Sequence, residues 1–349
     1  MNNTEKANAK IRRGQTKNSY ARIQDMFIIE VKNLTKIYTV SQKPPGVVAS
    51  LKSFFHRQYK HIKAVDNISF AIDEGELVGF IGPNGAGKTT TLKVLSGLLY
   101  PTSGEVSVSD FTPWERKTNF QKQIAFIAGQ KNQLWWDLPP YETFLLNKEI
   151  YEVKDSDFKA RITYLSKMLD IPNLLTTPVK KLSLGQRMKA ELVAALIHQP
   201  RTLFLDEPTI GLDIIAQKNL HDFIKDYNTK FNTTIILTSH HMDDVEKLAK
   251  RVIILNKGKI VYDGKLAQIV SRFTKHKVVS LDFGKEVKRE KLKEYGRILS
   301  SDLLNAKIEI DKEKIADATA RLLKELPITD LSIEEPPIEE IIRLIFTKE

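Results

Sequence analysis

The sequence predicts an α/β protein with a mixed sheet core, a helical subdomain and a small C-terminal α+β domain, on three observations. Short, continuous apolar runs recur between helical stretches, as in buried parallel strands. One of these runs enters a glycine-rich turn and then helix-compatible residues. After residue 271 the pattern changes to strands and helices in the order βαββαβ, the ferredoxin-like arrangement.

Residues 1–25 are polar and basic and are expected to be a disordered tail. Order is expected from Met26, where Phe27-Ile28-Ile29-Glu30-Val31 reads as a strand, with residues 68–72 as a second. Between them lies an insertion, residues 47–63, that follows Pro44-Pro45-Gly46. At about 100° per residue, Val47, Val48, Leu51, Phe54, Phe55, Tyr59 and Ile62 fall within an arc of roughly 140°. Lys52, Arg57, Lys60 and Lys63 fall outside it, which predicts an amphipathic helix. Such a helix packs either on its own domain or at a membrane surface, and its basic face favours the surface. Residues 77–81 form the apolar run before the glycine-rich turn, and 88–96 continue as helix. Residues 141–200 read as mainly helical, 203–205 and 234–237 as buried parallel strands, and 251–255 with 259–262 as a hairpin. Strand 277–283, helix 285–294, two short strands, helix 312–326 and strand 328–333 follow, and an amphipathic helix at 338–346 ends the pattern. The expected domains are therefore 26–271 and 272–349, behind the tail.

Composition narrows the function classes. With 349 residues, 42% hydrophobic and 28% charged, the chain is long enough for two domains and is neither fibrous nor wholly disordered. The absence of cysteine excludes disulfides, thiolate metal sites and cysteine nucleophiles. No apolar run of spanning length and no signal-peptide core occur, so a cytoplasmic location is expected. The net charge of +11 is concentrated: residues 1–63 carry +10 and the other 286 only +1. The body is nearly neutral, and the basic N-terminal segment suits acidic lipid or nucleic acid, or serves as a solubilising tail; a nucleic-acid partner is not expected.

The chemistry is carried by two strings. Gly82-Pro83-Asn84-Gly85-Ala86-Gly87-Lys88-Thr89-Thr90 follows a strand and opens a helix, the context of a P-loop. Its glycines let backbone N–H groups curl around phosphate oxygens at a helix N-terminus. Lys88 is expected to reach the β and γ phosphates, and the Thr89 hydroxyl to serve Mg²⁺, a cation that needs hard oxygen ligands. Leu203-Phe204-Leu205-Asp206-Glu207-Pro208 is an apolar strand ending in two carboxylates. Asp206 is expected to hold Mg²⁺, and Glu207 to act as general base towards the attacking water, a role worth roughly 10²- to 10⁴-fold.

A third string, Leu182-Ser183-Leu184-Gly185-Gln186, lies between these two and resembles the signature of the ATP-binding subunits of ABC transporters. The resemblance covers residues 26 to about 270 and implies further roles. Tyr38 resembles the aromatic residue that stacks on adenine. Gln130 resembles the Q-loop glutamine that touches Mg²⁺ or the attacking water, with Gln133 as its alternative. His240 resembles the switch histidine on the γ-phosphate, with His241 as its alternative. Asp213 resembles the D-loop aspartate, although the serine and alanine usual before the leucine are replaced. Leu184 stands where glycine is usual, while Ser183, Gly185 and Gln186, which are expected to bind phosphate in trans, remain.

The family geometry implies a head-to-tail dimer of this chain or a close paralogue, two ATP molecules with Mg²⁺, and separate transmembrane permease subunits. Such a protein would sit at the cytoplasmic face of the cell membrane, touching it through residues 47–63. Residues 129–139 with 182–187 resemble a type-2 exporter group that includes sodium and drug efflux systems. An importer subunit and a soluble ATPase acting on ribosomes or nucleic acid are the alternatives. The C-terminal domain holds no acid, histidine or glycine cluster suited to chemistry and is expected to be regulatory or dimer-stabilising.

Overall fold

The computed structural model describes residues 27–42, 58–129, 132–239, 241–273, 275–336 and 338–347. The chain divides into two compact units, residues 1–263 and 264–349. The division falls before the helix at Leu266–Phe273, not at 271/272, which lies within that helix.

The first unit opens with an antiparallel sheet of β1 (Phe27–Gln42), β2 (Gln58–Asp73) and β4 (Ser103–Val108), in the order β2-β1-β4. Both expected strands run on far past the apolar pentapeptides that announce them. The pairing of β1 with β4 ends at Thr35 and Ser103, yet β1 and β2 stay paired out to Gln42 and Gln58 as a two-stranded ribbon. This corrects the end of the helix expected over 47–63. Residues 58–63 are strand, with Ile62 opposite Tyr38 and Tyr59 opposite Ser41, so these two apolar residues do not share a face. Residues 47–57, with Val47, Val48, Leu51, Phe54 and Phe55, lie outside the described residues, as does the tail 1–25.

Behind this sheet lies a six-stranded one, ordered β5-β6-β7-β3-β8-β9. Its strands are β3 (Leu77–Ile81), β5 (Ile124–Ala128), β6 (Thr202–Asp206), β7 (Thr234–Ser239), β8 (Arg251–Asn256) and β9 (Lys259–Lys265). The run from β5 to β8 is parallel throughout. Strands β3 and β7 are buried along their whole length, which is why they read as unbroken apolar runs. Helix α1 (Lys88–Leu95) places Leu92, Val94 and Leu95 in a core shared with Ile29, Leu34, Ile68, Ile72, Phe80 and Phe204, where Phe70 meets Phe80 edge to face.

The stretch expected to be helical contains α3 (Pro140–Ile150), α4 (Asp155–Met168) and α5 (Leu184–Leu196), after the short α2 (Thr118–Gln121). Helices α6 (Ile214–Phe231) and α7 (Met242–Leu248) flank β7 in sequence. No helix among the described residues is long and apolar enough to cross a membrane.

The second unit begins with α8 (Leu266–Phe273) and then follows the βαββαβ order: β10 (His276–Phe283), α9 (Arg289–Leu292), β11 (Arg297–Ser301), β12 (Asn305–Asp311), α10 (Ile315–Glu325) and β13 (Ile328–Glu334). The sheet is antiparallel with β10 between β12 and β13 and β11 outermost, the order 4-1-3-2 of the ferredoxin-like split βαβ fold. Its first helix is much shorter than the span 285–294 suggested. Alternate residues Val279, Leu281, Phe283, Ala306, Ile308 and Ile310 form the core face with Leu292 and Leu322. The terminal helix α11 (Ile338–Thr347) buries Ile338, Ile341, Ile342 and Ile345.

Candidate functional site

The register of the parallel sheet gathers the site. Ala128 pairs with Asp206, Asp206 with Thr238, and Ser239 with Ile81, so four strands end in one row. Ligand-binding loops of open parallel sheets lie outside such carboxyl ends. Here the row places the turn after β5, Glu207, the loop after β7 and residues 82–90 along one edge.

The loop 82–87 turns sharply into α1. Gly87 caps the helix at φ 105°, and a β-carbon there would stand 2.4 Å from the Ala64 carbonyl oxygen, so only glycine fits. Lys88 is buried, its ammonium donating to the carbonyl oxygens of Gly82 at 2.6 Å and Pro83 at 3.2 Å. Burial lowers its pKa, against the pull of Glu207 and Asp206. Asp206 Oδ1 accepts from two hydroxyls, Thr89 at 2.9 Å and Thr238 at 2.7 Å. Glu207 adopts φ 53° directly after the strand, and its N–H donates to Thr238 O and Thr238 Oγ1 at 3.1 and 3.0 Å. The left-handed backbone turns the chain sharply at the strand end, so that Glu207 leaves β6 directly beside Asp206.

This donor set fits Mg²⁺ with a nucleotide. No group of three or more acidic, histidine or cysteine side chains suited to a metal occurs among the described residues. Thr89 and Asp206 would supply two hard oxygens to such an ion, leaving the rest of its shell to phosphate and water oxygens.

Tyr38 stands beside the P-loop helix, its hydroxyl 3.5 Å from Thr90 Oγ1, with Lys36 Nζ 5.5 Å from the ring centroid. The ring is exposed and open to a stacking partner. Gln130 and His240 lie outside the described residues. Of their alternatives, Gln133 donates its side-chain amide to Phe126 O at 2.8 Å, away from the strand ends, and His241 is held through its backbone N–H, which donates to Ser239 Oγ at 2.9 Å.

The signature residues form a second cluster. Ser183 caps α5, and Ser183 and Gln186 make reciprocal backbone–side-chain bonds at 3.2 and 2.9 Å, a capping box that leaves the helix start well ordered. Gly185 faces Ala216, and Leu184 extends to Gly211, where a β-carbon would lie 2.8 Å from its Cδ2. Gly211 has φ 73°. Asp213 caps α6 through Ala216 N at 2.8 Å. Leu184 and Gly211, two of the three residues that depart from the expected pattern, are thus neighbours in space.

Sequence reading missed Thr238, which is legible only in the register that sets it opposite Asp206. It also missed Glu191 on α5, which is 2% exposed and accepts the N–H of Gln133 at 3.3 Å. Burial pushes this carboxyl up to about 7, against the Gln133 N–H and the Arg187 charge. The folded protein therefore keeps a proton that the unfolded chain, titrating near 4.5, has given up, and stability falls as pH rises from 4.5 to about 7. Glu191→Gln, which imitates the protonated form, is expected to raise Tm clearly at pH 8 and only slightly at pH 5. Calorimetry at the two pH values checks this; an unchanged Tm at pH 8 counts against a buried charge at 191.

Residues 65–210 match the family model described as "ABC transporter", and residues 275–334 match "EvrA-like ABC transporter, C-terminal domain". The chain is 33% identical over 215 residues to the ABC transporter ATP-binding protein NatA of Bacillus subtilis, covering 62% of this chain and 87% of that protein. It is also 33% identical over 248 residues to the uncharacterized ABC transporter ATP-binding protein MJ1023 of Methanocaldococcus jannaschii, covering 71% and 87%. Among solved structures, a dimeric ATP-binding cassette in a post-hydrolysis state with ADP and Pi superposes with a TM-score of 0.57 at 25% identity, over 68% of this chain and 98% of that one.

Proposed function

The chain belongs to the ABC transporter ATP-binding proteins, and from this membership we propose how its own residues hydrolyse ATP and for what purpose. It is the ATP-hydrolysing subunit of a transporter. Residues 82–90 hold the phosphates, Tyr38 carries the adenine, and Thr89, Asp206 and Gln130 hold Mg²⁺, which when bound neutralises phosphate charge. Glu207 takes the proton of the attacking water and His240 contacts the γ-phosphate. The observation that carries this reading is the Thr89–Asp206–Thr238 hydrogen-bond row at the strand ends, with Lys88 and Glu207 on either side of it.

Two copies pair head to tail, each nucleotide lying between residues 82–90 of one and Ser183, Gly185, Gln186 and Asp213 of the other. The membrane permease docks on the face of the helical region where Trp135, Trp136, Leu145 and Leu146 are exposed, since aromatic side chains anchor interfaces. The resemblance of residues 129–139 and 182–187 to a type-2 exporter group favours export, and the protein then works peripherally at the cytoplasmic face of the membrane, with the second unit, 264–349, tuning dimer stability. Mixing tests the pairing. Lys88→Ala and Ser183→Arg chains are each expected to be inactive, yet a mixed dimer holds one intact site and regains turnover; no recovery on mixing would sink the head-to-tail arrangement.

A further inference from the structure

Two loops of the site are tied to one buried carboxylate on α7. Asp244 is 1% exposed, and its Oδ2 accepts hydrogen bonds from Thr209 Oγ1 and Ser239 Oγ, both at 2.6 Å. Its Oδ1 lies 2.6 Å from His221 Nε2 on α6. Thr209 stands two residues after Glu207, and Ser239 stands directly before His240. None of these three bonds reaches residues 82–90. Ser239 Oγ also accepts the N–H of His241 at 2.9 Å, so the hydroxyl that donates to Asp244 fixes the start of the switch loop as well.

The chemistry of the four groups requires a carboxylate at this position. His221 is buried, and its Nδ1 has no hydrogen-bond partner among the described residues, so Nε2 is the nitrogen whose proton is donated to Asp244. Burial raises the Asp244 carboxyl, but the bonds from His221, Ser239 and Thr209 outweigh it and hold the group below the usual carboxylate range. A carboxylate oxygen accepts two hydroxyls at once, whereas an amide nitrogen accepts none. An asparagine with its oxygen turned to Thr209 and Ser239 would face His221 with N–H, and the ring would have to move its proton to the unpartnered Nδ1.

We propose that Asp244 is a positioning residue for ATP hydrolysis: through Thr209 and Ser239 it locks the loop after Glu207 to the loop carrying His240, and His221 orients it for both. The inference rests on reading Glu207 as the base and His240 as the γ-phosphate contact. Small displacements of such groups by a change outside the first contacts cost up to about 100-fold in rate.

The experiment compares Asp244→Asn, Ser239→Ala, His221→Gln and His221→Leu with wild type and Glu207→Gln, all as full chains. It measures kcat, KM for ATP, equilibrium binding of a fluorescent ATP analogue and Tm. Asp244→Asn and His221→Leu are expected to lose about 10- to 100-fold in kcat with KM and binding within about threefold. Ser239→Ala loses less, and His221→Gln, which keeps a donor, recovers most of the rate. If Asp244→Asn does not fold, Ser239→Ala and the His221 pair carry the same test. A kcat within about twofold of wild type in Asp244→Asn, or a fall matched by an equal loss of binding, overturns the inference. So does equal damage from Gln and Leu at 221. Near-normal turnover of Glu207→Gln overturns instead the base assignment beneath it, and the two failures are thereby distinguishable.

Discussion

Glu207→Gln is expected to bind MgATP, to lose roughly 10²- to 10⁴-fold in turnover and to accumulate as a closed dimer. The substitution removes the proton acceptor and its negative charge. Glutamine keeps the length of the side chain, and the backbone at 207 is held by Thr238 through bonds to its N–H that do not involve the carboxylate. The phosphate loop and the Thr89–Asp206 pair are untouched. ATP therefore still drives association while the step that reverses it is blocked. Steady-state phosphate release and sedimentation with and without MgATP check both halves. Turnover near wild type would sink the assignment of the base, and a variant that stays monomeric with ATP bound would sink the link between the two events.

Lys88→Ala is expected to fail one step earlier, at binding. The Lys88 ammonium stands at the floor of the loop, turned onto the carbonyl oxygens of Gly82 and Pro83. Burial already disfavours its charge, so a phosphate that takes over from those carbonyls gains a partly desolvated cation as partner. Alanine leaves the loop its backbone N–H groups but removes that cation. Hydrogen bonds between charged groups are worth about 1.5–3 kcal/mol each, so ATP affinity should fall by at least about tenfold. Equilibrium binding of a fluorescent ATP analogue measures this. Unaltered affinity would mean that Lys88 does not reach the phosphates.

The catalytic strings were legible in the sequence because each is local: a glycine-rich turn after a strand, two acids at a strand end. Their convergence was legible only in outline, because it depends on register, and nothing in the strings sets Asp206 opposite Thr238. Asp244 and His221 were invisible for a stronger reason. Their value lies in contacts between helices 23 residues apart in sequence, and singly each reads as an ordinary polar side chain. The end of the insertion, residues 58–63, failed in the opposite direction. Seven apolar residues at helical spacing suggested one helix over 47–63, but Tyr59 and Ile62 stand three apart, a spacing that shares a helix face and splits across a strand. Backbone pairing with residues 37–42 decided their conformation, and tertiary pairing leaves no trace in a local pattern.

The contact between Leu184 and Gly211 separates two constraints on the turn before α6. A β-carbon at 211 would stand 2.8 Å from Leu184 Cδ2, the far end of a flexible side chain that can turn to another rotamer. The backbone at 211 is left-handed at φ 73°, and that preference for glycine holds whatever residue stands at 184. Shortening Leu184 therefore gives a side chain at 211 room without relieving its backbone strain.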